Sequence, residues 1–255
     1  MTQPVTHQLA KIDIEPGHHK IVWHVGGFVL HGDTIISTLI AGGLLVIMGL
    51  ILRSRLSVRK PGKLQLFFET VTDQVEKQVE ASMGIKFGPF VVPLAFALFL
   101  FILFANWLAL IPTKEYIPPP ASDPNLTYAL AFLVIVTMHV VGIRKNGLRY
   151  YAHIFEKPRV LAPLRIIEEV IKPFTLALRL FGNMLAGHLM LLVFILGGEY
   201  LLIHGSSIFI QLSGILGLAF GVVMTFFELL VQFLQAFIFT LLTALYISDA
   251  VSEHH

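Results

Sequence analysis

The sequence predicts an all-α integral membrane protein of about five membrane helices plus a membrane-surface amphipathic helix. The last two membrane helices are long, steeply tilted and form a hairpin. Three observations predict this. Of 255 residues, 56% are hydrophobic and only 13% charged, a balance typical of chains lying mostly in lipid. The apolar residues collect into runs parted by short polar segments. The final two runs, about residues 164–203 and 208–247, would each extend roughly 60 Å as helix, about twice the hydrocarbon thickness of a bilayer.

Taken in order, residues 1–32 read as a polar extracytoplasmic N-terminal segment with no evident cleavable signal peptide, and 33–255 as a single membrane domain. Thr34 to Leu52 is long enough to cross and ends in Arg53-Ser54-Arg55. From Leu64 to Glu80, Leu64, Phe68, Val71, Val75 and Val79 recur at helical spacing with Glu69, Asp73, Glu76 and Glu80 opposite. That pattern predicts a helix on the membrane surface; a solvated helix packed on a partner is the other reading. Phe90 to Ile111 makes the second span and Tyr128 to Ile143 the third, around a proline-rich loop, Pro112 to Asn125. Asp123 or Asn125 is placed to cap the following helix. The hairpin turns at His204-Gly205-Ser206-Ser207, and apart from Pro163 and Pro173 near its start it lacks proline. Unbroken helices tilted well beyond the usual angle follow, with Gly214, Gly217 and Gly221 permitting close backbone approach.

Charge position sets the orientation. Arg53, Arg55, Arg59, Lys60, Lys63, Lys77 and Lys86 fall in one loop, and Arg144, Lys145, Arg149, Lys157, Arg159 and Arg165 in another on the same side. The opposite side has only Lys11, Lys20 and Lys114. The positive-inside rule then puts the N-terminus outside and the C-terminus in the cytoplasm. A net charge of +2 gives no basic surplus for nucleic acid. The absence of cysteine excludes thiolate metal sites, disulfides and thiol catalysis. His18, His19, His24 and His31 lack ligand spacing, so no metal or cofactor is expected.

Function concentrates in the hairpin. Arg179 lies in the almost uncharged run Leu176 to His188, where a permanent charge costs several kcal/mol or more and marks an ion path, a relay or a counter-ion site. An arginine near a helix end, reaching the interface, is the bland alternative. At about 100° per residue Asn183 lies about 40° from Arg179 and His188 about 180° away. In the last helix Glu228, Gln232, Gln235 and Tyr246 fall within about 40° of one stripe. Glutamines in such helices also serve as plain interhelical hydrogen-bonding groups. Glu228 must be protonated or paired in lipid, and His188 in the antiparallel neighbour is its available complement, read as a proton relay rather than a static pair. Upstream, Glu168 and Glu169 near Lys172 and Pro173 read either as a polar cytoplasmic entrance or as an interfacial first turn with acids favoured near its start. His139 reads as a packing residue. An alternative function is a stand-alone secondary transporter using Arg179 for an anionic substrate, but no internal repeats with broken helices are evident. A hydrolase lacks a nucleophile–base or His-Glu metal grouping.

The runs Lys172 to Met184, Leu234 to Thr243 and Ser122 to Thr127 resemble subunit a of the F-type ATP synthases, a similarity extending from about Asp33 to the end. The resemblance implies a stator subunit, not catalytic alone, that offers two proton half-channels to a rotating ring of c subunits. It also implies peripheral-stalk b-type subunits and the rest of the synthase as partners, and a bacterial plasma membrane as the location. By the same resemblance Arg179 faces the rotor carboxylate, Gln235 lies near it on the adjoining helix, and Asn183 matches by motif. Many bacterial relatives have Glu where this chain has His188 and His where it has Glu228. Here the two are exchanged, and the family's serine-rich approach to the Lys-Pro step is replaced by Glu168-Glu169-Val170-Ile171.

Overall fold

A computed structural model describes residues 21–25, 28–57, 61–83, 88–108, 119–147, 150, 162–204 and 207–251. The N-terminal segment before Ile21, the loop from Ala109 to Pro118, Gly205-Ser206 of the hairpin turn, the last four residues and several basic residues used for orientation (Arg59, Lys60, Lys86, Arg149, Lys157 and Arg159) lie outside the described residues.

The described residues are almost wholly helical. A short antiparallel pair, β1 (Val22–Val25) and β2 (Phe28–His31), leads into α1 (Gly32–Arg55), α2 (Lys63–Met83), α3 (Gly88–Trp107), a 3₁₀ turn (Pro120–Ser122), α4 (Pro124–Asn146), α5 (Ala162–His204) and α6 (Ile208–Val251). By length and composition α1, α4, α5 and α6 qualify to cross a membrane, and the apolar part of α3, Val91–Trp107, is a shorter fifth candidate. The strand pair is the element missed by reading residues 1–32 as a polar segment. Its signal was local: the β-branched and aromatic residues of Val22-Trp23-His24-Val25 and Phe28-Val29 on either side of Gly26-Gly27. Gly32 closes the pair onto α1. Its amide donates to the Ile21 carbonyl at 2.7 Å, and a Cβ there would lie 2.7 Å from the Ile21 side chain, so only glycine fits without a shift.

The expected cap is present, and of the expected apolar face of α2 Phe68 is buried and Val71 half-buried, the side chains of Leu64, Val75 and Val79 lying outside the described residues. Asp123 caps α4, its Oδ1 accepting from the Asn125 amide at 2.8 Å, with Pro124 at the first helical position. Gly147, at φ 60°, ends that helix in a conformation glycine tolerates. Lys145 Nζ and Asn146 Nδ2 donate to the last carbonyls of α6, Val251 at 2.8 Å and Ala250 at 3.3 Å, satisfying acceptors that helix termini leave open. His139 is a packing residue, bonded through Nδ1 to the Ile135 carbonyl at 2.8 Å and edge-on to the Tyr150 ring. In α2, Phe68 is buried edge-on to Phe96 while Glu69, Asp73, Glu76 and Glu80 are exposed. Gln65 staples α2 to the preceding turn by bonding both backbone groups of Ser57. On the exposed face Lys77 donates to Asp73 at 2.7 Å, a hydrogen bond that raises the lysine pKa.

The hairpin is a continuous antiparallel zipper. Neither α5, even at Pro173, nor α6 is interrupted. Its distal half is held by glycine. A Cβ on Gly214 would lie 2.8 Å from the Gly198 carbonyl and from the Leu202 amide, and one on Gly198 would lie 2.9 Å from the Leu218 amide. Gly217 and Gly221 meet Gly198 and Ile195 at 3.3 and 3.4 Å by the same measure. The expected close approach at Gly214, Gly217 and Gly221 therefore exists, and Gly198 is its partner on α5. The proximal half packs against α3 and α4 through Phe99, Ile102, Leu103, Leu176, Leu180, Met184 and Phe239.

Gly214→Val should pry the zipper apart and lower stability in detergent by about 1–3 kcal/mol, the usual cost of overpacking. Gly49→Ala, with nothing within 4 Å of the added carbon, should be neutral or slightly stabilising. Denaturant melts of the two variants check this contrast.

Candidate functional site

The zipper brings the polar stripe of α6 against α5. Glu228, Gln232 and Gln235, with Gly214, Gly221 and Phe239, are buried along one face. Three α5 residues meet that face in descending order. Gly187 faces Glu228, since a Cβ on it would lie 2.8 Å from the carboxylate Oε1. Met184 Sδ is 3.8 Å from Gln232 Nε2. Asn183 Nδ2 donates to Gln235 Oε1 at 2.6 Å. Within α6, Gln232 Nε2 donates to Glu228 Oε1 at 3.0 Å, the i,i+4 spacing of a helix. Each member thus uses part of its capacity inside the chain. Glu228 Oε2, Gln232 Oε1 and Gln235 Nε2 remain buried with no partner, and buried polar atoms of this kind call for hydrogen bonding from beyond the side chains present.

Arg179 has a different environment. It lies on the same helix as the buried Leu176, Ala177 and Leu180 yet is itself exposed, as are Thr175 and Leu178. It makes no ion pair among the described residues. Asn183, one turn on, ties the same edge of α5 to α6 through Gln235. The guanidinium is therefore held beside the polar seam and directed away from the chain's own core.

His188 is exposed, and no hydrogen bond or ion pair joins it to Glu228. One residue earlier, the side-chain-free Gly187 occupies the position against the carboxylate. Glu168 and Glu169 diverge as well. Glu168 is exposed. Glu169 accepts from Lys172 Nζ at 2.6 Å, and that ammonium sits 5.5 Å from the centre of the Tyr246 ring on α6. Glu169 Oε2 is left buried and unpartnered.

A second polar cluster escaped the sequence reading. At the end of the bundle where α1 and α4 begin, Asp33, Thr34, Ser37, Asp123 and Thr127 are all buried. Thr34 Oγ1 donates to Asp123 Oδ2 at 2.7 Å, and His31 Nδ1 lies 3.1 Å from the same oxygen. Asn106, near the end of α3, is buried with Oδ1 unpartnered. The edge-on contact of Phe99 with Phe233 sets α3 against α6. The available signals were an asparagine inside an apolar span and an aspartate at the head of another; neither has a periodicity to reveal it.

The sequence matches the profile of the family described as ATP synthase A chain over residues 35–248. Among similar proteins, ATP synthase subunit a of Acidothermus cellulolyticus is 38% identical over 255 residues, covering 99% of this chain and 88% of the relative. That of Mycobacterium tuberculosis is 38% identical over 98% of this chain and 100% of its own length. That of Desulforamulus reducens is 32% identical over 91% and 86%.

The contact of Gly187 with Glu228 gives a packing test independent of activity. Gly187→Ala should destabilise the chain, and the loss should shrink when Glu228→Ala makes room. A double-mutant cycle should report a coupling of about 0.5–3 kcal/mol, as contacting residues do.

Proposed function

The chain belongs to the ATP synthase A chain family, and on that premise we propose how its residues work. It is the proton-channel stator subunit of an F-type ATP synthase, a component of that complex and a multi-pass protein of the plasma membrane. Our reading adds the partners and the path. A ring of c subunits turns against the hairpin, b-type subunits anchor the chain, residues 1–32 lie outside and the C-terminus is cytoplasmic. With helices of 43 and 44 residues, α5 and α6 lie steeply tilted along the ring.

The observation that carries this reading is the outward-directed Arg179, with no ion pair among the described residues, beside the exposed Asn183 and the buried Gln235, Gln232 and Glu228. Protons enter from outside through the polar cluster at the heads of α1 and α4, reach His188 and Glu228, and neutralise a ring carboxylate. Gly187 leaves Glu228 room against α5, and the separation of His188 from the carboxylate favours transfer through water over direct contact. Neutralised, the ring carboxylate can face lipid, and the ring turns. On arriving from the other side it loses its proton toward the cytoplasm along Glu168 and Glu169, then meets Arg179. Guanidinium is effectively never deprotonated, so it favours the ionised carboxylate without passing its proton on and separates the two half-channels. Asn183 and Gln235 set the position of the arginine edge through their mutual hydrogen bond. Each charge moved gains about 2.3 kcal/mol per 100 mV, so several protons are needed for each ATP made elsewhere in the complex. The anion-carrier alternative has no support in unbroken α5 and α6, because carrier sites favour discontinuous helices.

Arg179→Lys should abolish coupled proton transport while leaving assembly largely intact; robust ATP-driven pumping by that variant in vesicles would overturn the assignment. Glu228→Gln should slow proton flow and shift its pH dependence. An unchanged rate and pH profile would remove Glu228 from the path.

A further inference from the structure

His31 occupies a position that neither its sequence spacing nor the family resemblance assigns a role. It ends β2 and immediately precedes α1, and its side chain is 25% exposed. Its Nδ1 lies 3.1 Å from Oδ2 of Asp123, a carboxylate 3% exposed and 92 residues away. The same Nδ1 is 3.4 Å from the side-chain nitrogen of Asn125. A partly exposed imidazole thus touches a buried carboxylate at the head of the polar cluster.

We propose that His31 is an outer proton-collecting residue that takes protons from the external solution and delivers them to Asp123. This rests on the proton-path reading above and extends it outward to the water interface. The transfer balances simply. A solvent proton binds Nε2, the Nδ1–H bond breaks, and that proton passes to Asp123 Oδ2, leaving a neutral ring protonated on Nε2. The surroundings provide for both states of Nδ1. While protonated it donates to Asp123 Oδ2; once bare it can accept from Asn125 Nδ2. Protonation at Nδ1, giving the imidazolium, followed by loss of the Nε2 proton to solvent resets the ring.

The other bonds to Asp123 keep the receiving atom in place. Oδ1 accepts the Asn125 amide and Oδ2 the Thr34 hydroxyl, so the carboxylate does not swing away when the imidazole changes state. Among the described residues the titratable groups around His31 are Asp123 at the head of α4, Asp33 in the first turn of α1 and, on the paired strand β1, His24, whose backbone lies opposite Val29. Val22, opposite His31 in the strand pair, is not titratable. Histidine suits the task because one ring nitrogen can bind a proton while the other releases one.

The test uses the whole complex in vesicles, with ATP synthesis driven by an imposed proton gradient at a series of external pH values. His31→Asn and His31→Gln keep an amide donor for Asp123 but cannot relay a proton. Both should synthesise ATP at nearly the wild-type rate at about pH 6 and severalfold more slowly at about pH 8, where protons are scarce. Imidazole added outside should restore the rate. Profiles that superimpose on wild type would overturn the proposal. So would a loss uniform across pH that imidazole does not relieve, which would mark His31 as structural. Arg179→Lys measured alongside separates the two readings. If it is inactive while the His31 variants match wild type, only the His31 proposal fails; if it still couples, the proton-path reading has failed.

Discussion

A guanidinium that cannot lose its charge is held in an apolar helix with no counter-charge among the described residues, and the reading of the rest of the architecture depends on that constraint. Leaving it there costs several kcal/mol or more, which a partner carboxylate arriving from outside would offset. The surrounding fold holds Arg179 still while keeping its outward side open. Leu176, Ala177, Leu180 and Met184 bury one face of α5, and the Asn183–Gln235 hydrogen bond pins the edge nearest the charge. The helix that carries the arginine is thereby held against α6 while the arginine itself stays exposed.

The zipper divides into two chemistries along its length. Distally it is glycine against backbone, Gly198 with Gly214, Gly217 and Leu218, a dry contact stabilised by close packing where lipid supplies no hydrophobic drive between helices. Proximally it becomes a polar seam whose members are only partly satisfied. A wholly satisfied network would be rigid but inert to protons, and a wholly unsatisfied one too costly to bury. Gly187 belongs to both parts: it is a small residue that brings the helices together, and the space it leaves is filled by the Glu228 carboxylate.

Much of the fold was legible because lipid imposes local rules. Span lengths, the 3.6-residue period of α2, the Asp123 cap and the α6 polar stripe all follow from residues close together in sequence. What was not legible depends on register between elements. Helical arithmetic placed Glu228 in a stripe and His188 on the neighbouring helix, but only the zipper register puts Gly187, one residue and about 100° away, against the carboxylate. The Asn183–Gln235 bond joins residues 52 apart and the His31–Asp123 contact residues 92 apart. Nor did the sequence reading give Lys145 and Asn146 a role at the end of α6. Such pairings come from the packing of several helices at once and leave no period in any one of them.

The most direct measurement is a structure of the intact complex in lipid that resolves the surface between α5 and the c subunits. The account predicts the Arg179 guanidinium turned toward an ionised ring carboxylate, with one hydrated cavity reaching Glu228 from outside and a separate one reaching Glu168 from the cytoplasm. Arg179 lying among phospholipid headgroups, walled off from the ring, or bridged by one continuous water channel would contradict it.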